Sequence, residues 1–571
     1  MDTNKETEKY IFPKMMFNIF YSFLVGFFVI YVLSFTGFLF HLSINIFYPI
    51  IGIISGLSAL IILSDKSHFN VKNTVLSVTV FLTVLILSYK LSGIFYDYSW
   101  DGRTYHQGAV ILLGNGWNPV YDNIREFIVN ALGRAWDIHE EWIVGYPKFV
   151  EIVQANIFAL TNKLEYSKMF NFILMFMVFG YSIYLLNKYN FTNKFLRFII
   201  AFLIILNPVC IAQMFTFYVD LHVYLYFVLL LLSILDTETD RSTNILALTV
   251  IFMSSVCLIN IKLSGIFYVV LLLSVYTVYL LIRKNFSVIG YLRFIILGIL
   301  VFGILSGVNP YITNIKNQRH PLYPLAGTNK TEFMDINTPK VIRNSNYAKR
   351  IFISVFSEVD NNVNGEIKIK LPFTIHNREL TSLKFSDTRL SGFGIFWSGI
   401  LLLTLLMTLF IRFKSTEEKN VSLLIFSLLF ISFIANPYNW WARYVPHLWL
   451  IPVFVSILTL LKPNKFKKWM VYLILIVIFL NLWIQFVQIL KFNVAYKNSL
   501  DKTCRMLYNS GKTILIYNPF DFALPEILKE KGINVKFADE NYYNSHKSSF
   551  YPIMYSIDGK SLWNFDGKYV K

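Results

Sequence analysis

The sequence predicts an all-α, polytopic membrane protein with a small α/β tail, on three observations. Hydrophobic residues fill 55% of the 571 positions and charged residues only 15%, far from the balance of a soluble domain. Apolar runs long enough to cross a bilayer recur from Phe17 to Leu490, which is the signature of multiple transmembrane helices. The polar residues collect in two long insertions, 97–167 and 309–393, and after the last apolar run.

About thirteen transmembrane helices are expected, at roughly 17–40, 44–64, 74–96, 168–186, 196–214, 218–235, 244–261, 264–282, 292–308, 394–411, 421–435, 446–461 and 469–490. The first run is too long for a signal-peptide core, lacks a small-residue cleavage site and is followed at once by another span, so it reads as structure. Basic residues cluster in the short loops at Lys66 and Lys72, Lys188 to Arg197, Arg283 to Arg293, Arg412 to Lys419, and Lys462 to Lys468. All fall on one side, which the positive-inside rule makes the cytoplasm. The acidic turn DTETDR at 236–241 fits that side least. Parity then gives a cytoplasmic amino terminus, an extracytoplasmic carboxyl terminus and two external insertions, in a plasma or inner membrane. The net charge of +18 is scattered through loops, so it fits retention of loops and does not point to a nucleic-acid partner. Of the three cysteines, Cys210 and Cys257 lie in apolar segments and Cys504 in the tail, with no disulfide or metal spacing. The chain divides into two amino-terminal helices (1–73), a transmembrane core (74–490) and a tail (491–571).

Within the first insertion, residues 122–166 read as helices on the outer surface, because Ile124, Phe127, Ile128 and Leu132 recur at helical spacing. Trp100, Trp117, Trp136 and Trp142 suit headgroup anchoring or a sugar-stacking platform. The second insertion opens with NPYITNIKNQRHPLYP (309–324), where Pro310 ends a span and Pro321 and Pro324 favour an extended path. Residues 325–386 read as a mostly irregular loop, closing with DTRLSGFG (387–394). In the tail, KTILIYNP (512–519) and VKFAD (535–539) read as strands around the helix PEILKEKGI (525–533), a β-α-β fragment without a glycine-rich phosphate loop. One heptapeptide, KLSGIFY, occurs at 90–96 and again at 262–268; its Ser-Gly pair suits close helix packing.

The candidate functional residues centre on DYSWDGRTYHQG (97–108), which follows an apolar helix. Asp101 has two readings: a general base at the mouth of a membrane cavity, or the N-cap of a short helix. Tyr105 and His106 follow it. Further along, Asp220 and His222 stand in FYVDLHVY, Lys262 precedes a span, Arg389 lies in DTRLSGFG, and Arg443, Tyr444 and His447 lie in NPYNWWARYVPHLW. Each has a bland role open to it: capping for Asp220, snorkelling for Lys262, lipid anchoring for Arg443. All fall toward the same side under the expected topology, and ionisable groups at such positions mark working cavities. An acid could activate a hydroxyl there while cations hold a lipid-linked phosphate, a task for which arginine's planar fork is well made. No ligand-spaced His/Asp/Glu cluster surrounds Asp101, so neither metal nor cofactor is expected.

These elements resemble the GT-C superfamily of polytopic glycosyltransferases, which includes protein O-mannosyltransferases and the lipid A aminoarabinose transferase. The matching pieces are Asp101 in an early external loop, YPKFVEI (146–152) leading to the next span, the YVDLH region, the NPYITNIKNQRHPLYP segment and the WARY of 441–444. The chain departs from the pattern in having two spans before the one that leads to Asp101, and in lacking an adjacent acidic pair. The resemblance implies a polyprenyl-phosphate sugar donor, a glycan, lipid or protein acceptor, Asp101 as the external base, and Lys262 and Arg443 near the donor phosphate. Tyr105, His106, Asp220, His222, Arg389 and Tyr444 are expected to bind substrate around them. An O-antigen or capsule polymerase is the alternative enzyme, and a transporter or flippase of a lipid-linked saccharide the alternative outside enzymes.

Overall fold

In lipid, an apolar run can satisfy its own backbone only as a helix or in a closed barrel, and helices dominate the chain. The structure is a computed structural model that describes residues 2–132, 140–189, 191, 193–239, 244–364, 366–517, 522–555 and 561–566. Among these, eight helices are long and apolar enough to cross a membrane: Ile11–Leu39, Phe47–Lys66, Val71–Ser92, Glu165–Lys188, Asp220–Glu238, Leu263–Ile282, Phe286–Ser306 and Lys465–Asn509. Eight is fewer than the thirteen expected: three runs are short, one is broken, and Thr416–Ile434, though 19 residues long, carries Glu417, Glu418 and Lys419 at its start. Ile245–Ile259, Trp397–Thr408 and Pro446–Thr459 are helical and apolar but short. The run expected at 196–214 is broken, because Asn207 leaves the helical conformation and its side chain accepts from Cys210 N to start a new helix at Pro208.

The surface helices expected over 122–166 are only partly on the surface. Ile124–Leu132 is amphipathic as its spacing predicts, with Ile124 and Ile128 buried. Phe149–Thr161, however, is buried along its length from Phe149 to Phe158. Its first backbone N–H donates to Asn260 O at 2.8 Å, and the turn after it meets Ser92, whose hydroxyl donates to Tyr166 O at 3.1 Å. Asn260 and Ser92 both lie at the end of the bundle that carries Asp101, so this helix lies across that end beneath the insertion. Trp117 is buried, which removes it from headgroup anchoring, and Trp136 lies outside the described residues. In both copies of KLSGIFY the glycine is a close approach: a side chain at Gly93 would collide with the Tyr166 ring, and one at Gly265 with Leu258 O.

The second insertion is more ordered than expected. Thr313–Gln318 is helical where an extended path was anticipated, and Phe333–Asn337, Lys340–Arg343, Tyr347–Phe356 and Asn377–Ser382 follow. Isolated bridges pair Ser357 with Ile369 and Asp360 with Leu390. The last helix, Lys465–Asn509, runs unbroken through residue 490, where the tail was expected to begin. At about 1.5 Å per residue its 45 residues exceed twice the hydrocarbon thickness of a bilayer. It therefore carries the tail clear of the spans. The β-α-β reading of the tail holds: β1 (Ile514–Tyr517) pairs in parallel with β2 (Val535–Phe537), with Ala523–Glu530 as the intervening helix. Two strands not foreseen, β3 (Phe550–Tyr555) and β4 (Ser561–Asp566), complete a sheet of order β2-β1-β4-β3. The tail rests on the first insertion: Leu164 N donates to Glu530 at 2.8 Å, and Tyr96 Oη donates to Asp501 at 2.8 Å.

Candidate active site

The loop that carries Asp101 is braced from below by buried charge. Asp97 accepts from Ser99 N at 2.7 Å, from Ser99 Oγ at 2.6 Å and from Phe217 N at 2.7 Å. Its own N–H donates to Glu165 at 3.1 Å, and Glu165 also takes Lys168 Nζ at 2.5 Å and Gln107 Nε2 at 3.0 Å. Burial, with Glu165 beside it, pushes the Asp97 carboxyl up to about 6 despite the Lys168 ammonium. Over this carboxylate the chain makes one wide π turn, Gly102–His106, of a kind frequent at functional sites. Gly102 is required there, since a Cβ would overlap the Asp97 carboxylate.

Asp101 opens that turn with helical backbone angles and makes no side-chain cap bond, which removes the N-cap reading. Its Oδ2 instead accepts from Arg443 Nη2 at 3.0 Å. The same guanidinium donates through Nε to Asp220 Oδ2 at 2.8 Å, and its Nη1 lies 3.7 Å from Asp387 Oδ2. Asp220 takes Lys262 Nζ at 2.6 Å on its other oxygen and Gln213 Nε2 at 3.1 Å. Asp220 is therefore neither a cap nor idle, and Lys262 is tied into an ion pair. Arg443 is buried to 8% exposure among three carboxylates and packed against the rings of Tyr218 and Trp441, at 4.9 and 5.4 Å. That placement removes the lipid-anchor reading. Asp101 and Asp387 keep 21% and 19% of their side chains exposed, so these two acids form the open face of a cluster whose Asp220 and Arg443 are buried.

The other expected residues sort by distance from this centre. Tyr444 borders it, its ring 5.0 Å from Lys262 Nζ, while its hydroxyl donates to the sulfur of Met334. Tyr105 lies one turn beyond Asp101, half-buried, with Trp142 and Tyr146 rings each 6.4 Å away. Arg389 stands at the edge, 3.9 Å from Asp387 and held by Asn337 and Asn361. His106 turns inward, its Nδ1 2.6 Å from Glu151. His222 is buried against the Phe170 ring at 5.0 Å, with neither ring nitrogen hydrogen-bonded. His447 pairs with Ser432 at 2.9 Å, on the far side of Tyr268. Two members of the site escaped sequence reasoning. Asp387 was visible only as part of DTRLSGFG, two residues from Arg389, and Gln213 as one polar residue at the end of an apolar run. Lys148, within YPKFVEI, is a third buried polar group near this end. It donates to Asn309 Oδ1 at 2.6 Å, and burial pushes its ammonium down to about 7.

No family model matches the sequence, and no curated protein matches it. Among solved structures, the crystal structure of ArnT from Cupriavidus metallidurans in the apo state aligns over 82% of this chain and 88% of that chain, with a TM-score of 0.44 and 10% identity. A likeness of that size carries no argument. The functional reading rests on the ion cluster itself.

Chemically, the cluster offers two partly open carboxylates, one buried guanidinium and one partly buried ammonium within a few ångströms of each other. Three carboxylates face three cations (Asp101, Asp220 and Asp387; Arg443, Lys262 and Arg389), so an incoming anion must displace a carboxylate to reach Arg443.

Proposed function

We propose that this chain is an integral-membrane glycosyltransferase that moves a sugar from a polyprenyl-phosphate carrier to an acceptor hydroxyl on the extracytoplasmic side. The observation that supports it most is the meeting of Asp101 and Arg443 at 3.0 Å across 342 residues of sequence, with the Lys262–Asp220 pair beside them. A base and two cations brought together at the ends of helices suit one reaction in particular. Asp101 takes the proton of the acceptor hydroxyl, whose oxygen attacks the anomeric carbon from the face opposite the phosphate. The bond from that carbon to the phosphate oxygen breaks, its electron pair leaves on the phosphate, and configuration inverts. Arg443 and Lys262 neutralise the departing charge. Phosphate binding to Arg443 also loosens its hold on Asp101, so the donor frees the base that the acceptor needs. The rings of Tyr105, Trp142 and Tyr146 cluster one turn beyond Asp101 and suit a sugar face.

A polysaccharide polymerase would use the same chemistry and differ only in its acceptor. A transporter is less favoured, because Asp220 is the first residue of its helix and Lys262 immediately precedes the helix Leu263–Ile282. These charges stand at helix ends and not near a midplane.

Arg443 provides the test. Arg443→Lys keeps the charge but loses the two-pronged fork. Arg443→Ala strips buried Asp220 and its two partly exposed neighbours of their shared partner, at about 3–5 kcal/mol by the usual cost of breaking a buried pair, so the lysine variant is the informative one. Donor-dependent turnover is measured for both at matched levels of folded protein. A clear defect in Arg443→Lys is expected. Full activity in the lysine variant would leave only a generic positive charge and remove the phosphate-fork role.

A further inference from the structure

The second insertion contains the stretch IKIKLPFTI (367–375), which from Ile369 onward turns its apolar side chains outward, with a turn at Pro372-Phe373. Extended chain sends successive side chains to opposite faces, and the apolar face ordinarily turns to the core. Here the segment pairs with the end of the Tyr347–Phe356 helix: Lys370 N donates to Phe356 O at 2.9 Å, and Glu358 N donates to Lys368 O at 2.8 Å. Yet Lys370 is the inward residue, its ammonium held by Glu379 at 2.6 Å and by Ile395 O at 2.8 Å. Ile369, Leu371, Phe373 and Ile375 point outward, with Leu371 75% exposed.

The depth of this face is fixed by a contact. The Phe373 ring lies over Gly399, the third residue of the apolar helix Trp397–Thr408, at a point where any side chain would collide with it. Leu402 and Leu406, three and seven residues further along the same face, are exposed. The outward face of 369–375 is therefore continuous with the stripe that an apolar helix turns toward lipid. Lys368, exposed, immediately precedes it, and Lys349 is exposed on the helix it pairs with.

We propose that segment 369–375 is seated in the lipid leaflet at the end of the bundle that carries Asp101, with its four apolar side chains among acyl chains and Lys368 and Lys349 at anionic headgroups. A segment that turns four large apolar side chains outward and its lysine inward suits a lipid-facing position, and basic side chains at its border favour an anionic surface. The seat does not depend on the sugar-transfer reading. It bears on the site all the same, because Asp360 and Leu390 exchange backbone hydrogen bonds at 3.3 and 2.9 Å. Those bonds tie the chain that follows the Tyr347–Phe356 helix, with which the seated segment pairs, to the stretch carrying Asp387 and Arg389.

The test uses spin labels on the full chain in nanodiscs of phosphatidylethanolamine and phosphatidylglycerol. Labels are placed singly through Leu371→Cys and Ile375→Cys, with Asn362→Cys as an exposed reference on the same insertion. The native cysteines Cys210, Cys257 and Cys504 are buried, and unsubstituted protein supplies the background. Collision with oxygen, which partitions into lipid, is compared with collision with a water-soluble nickel chelate. The expected result is an oxygen-to-nickel ratio several-fold higher at 371 and 375 than at 362. Nickel access at 371 and 375 equal to that at 362 would overturn the proposal. Exclusion of both reagents there would overturn it too, because it would mean that protein, and not lipid, covers this face.

Discussion

Replacing Asp101 with asparagine isolates its proposed proton-accepting role from its place in the ion cluster. Asparagine has the same size and can still accept from Arg443 Nη2, which now approaches the carboxylate at 3.0 Å. Arg443 also keeps Asp220 at 2.8 Å, so the guanidinium is not left buried and alone. Because 21% of the Asp101 side chain is exposed, the lost ion pair is partly screened and should cost about 1 kcal/mol of stability or less. The loss of a general base, by contrast, costs about 10²–10⁴-fold in rate. That is about 3–5.5 kcal/mol on the barrier. The two effects differ enough to be read separately. The assay follows transfer of label from a polyprenyl-phosphate sugar by purified, reconstituted protein, with thermal unfolding in the same detergent as the control for folding. Asp101→Asn is expected to unfold near wild type and to turn over at least about a hundredfold more slowly. Turnover within about threefold of wild type, in a variant of normal stability, would refute the base assignment.

The remaining predictions address the surroundings. Each carboxylate at the centre already faces a side-chain cation, so chelators are expected to leave transfer intact; loss with EDTA and recovery with Mg²⁺ or Mn²⁺ would move Asp101 and Asp220 into a metal-ligand role. A reporter fused after Lys571 is expected to be active only outside the cytoplasm, and cytoplasmic activity would relocate Asp101 to the other face. The Asp97 carboxyl titrates at about 6 when folded, against 3.8 ordinarily, so the folded chain holds a proton there that the unfolded chain has released. Stability from this group is therefore full below about pH 4 and is lost as pH rises through about 6, by about 3 kcal/mol at most. The unfolding midpoint should fall across that window in wild type and fall less in Asp97→Asn; equal slopes would show that Asp97 does not carry the effect.

What could be read in the sequence was what repeats along the chain. Apolar runs, basic short loops and the strand–helix–strand pattern of the tail are local, and each appears in the structure near its expected place. Lengths were less legible, because hydropathy does not register the break at Asn207-Pro208 or the point at which the last helix leaves the membrane. Burial in the first insertion was also hidden. Phe149–Thr161 falls in the stretch expected on the surface from the spacing of Ile124, Phe127, Ile128 and Leu132, yet even its polar Glu151, Gln154 and Asn156 are buried. Glu151 faces His106, and Asn156 donates to Ser34 at 2.9 Å.

The site was half legible for a related reason. Asp101, Asp220, Lys262 and Arg443 were each conspicuous as charges at the edge of apolar sequence, but each carried a local explanation that was as good alone. What separates capping, snorkelling and anchoring from catalysis is a set of contacts that span 42, 223 and 342 residues. Pairwise separation of that size leaves no trace in spacing. It is fixed by the order in which helices return to the same end of the bundle, and that order brings Arg443 to three carboxylates at once. A buried guanidinium shared among acids is stable as it stands, so neutrality alone would explain it. Exposure separates the acids: Asp220 is sealed and doubly paired, while Asp101 and Asp387 are 21% and 19% exposed, and of these two only Asp101 lies as close as 3.0 Å to Arg443. A cluster built only for packing gains nothing by leaving two carboxylates at the opening, whereas the proposed base needs such an opening to meet its substrate.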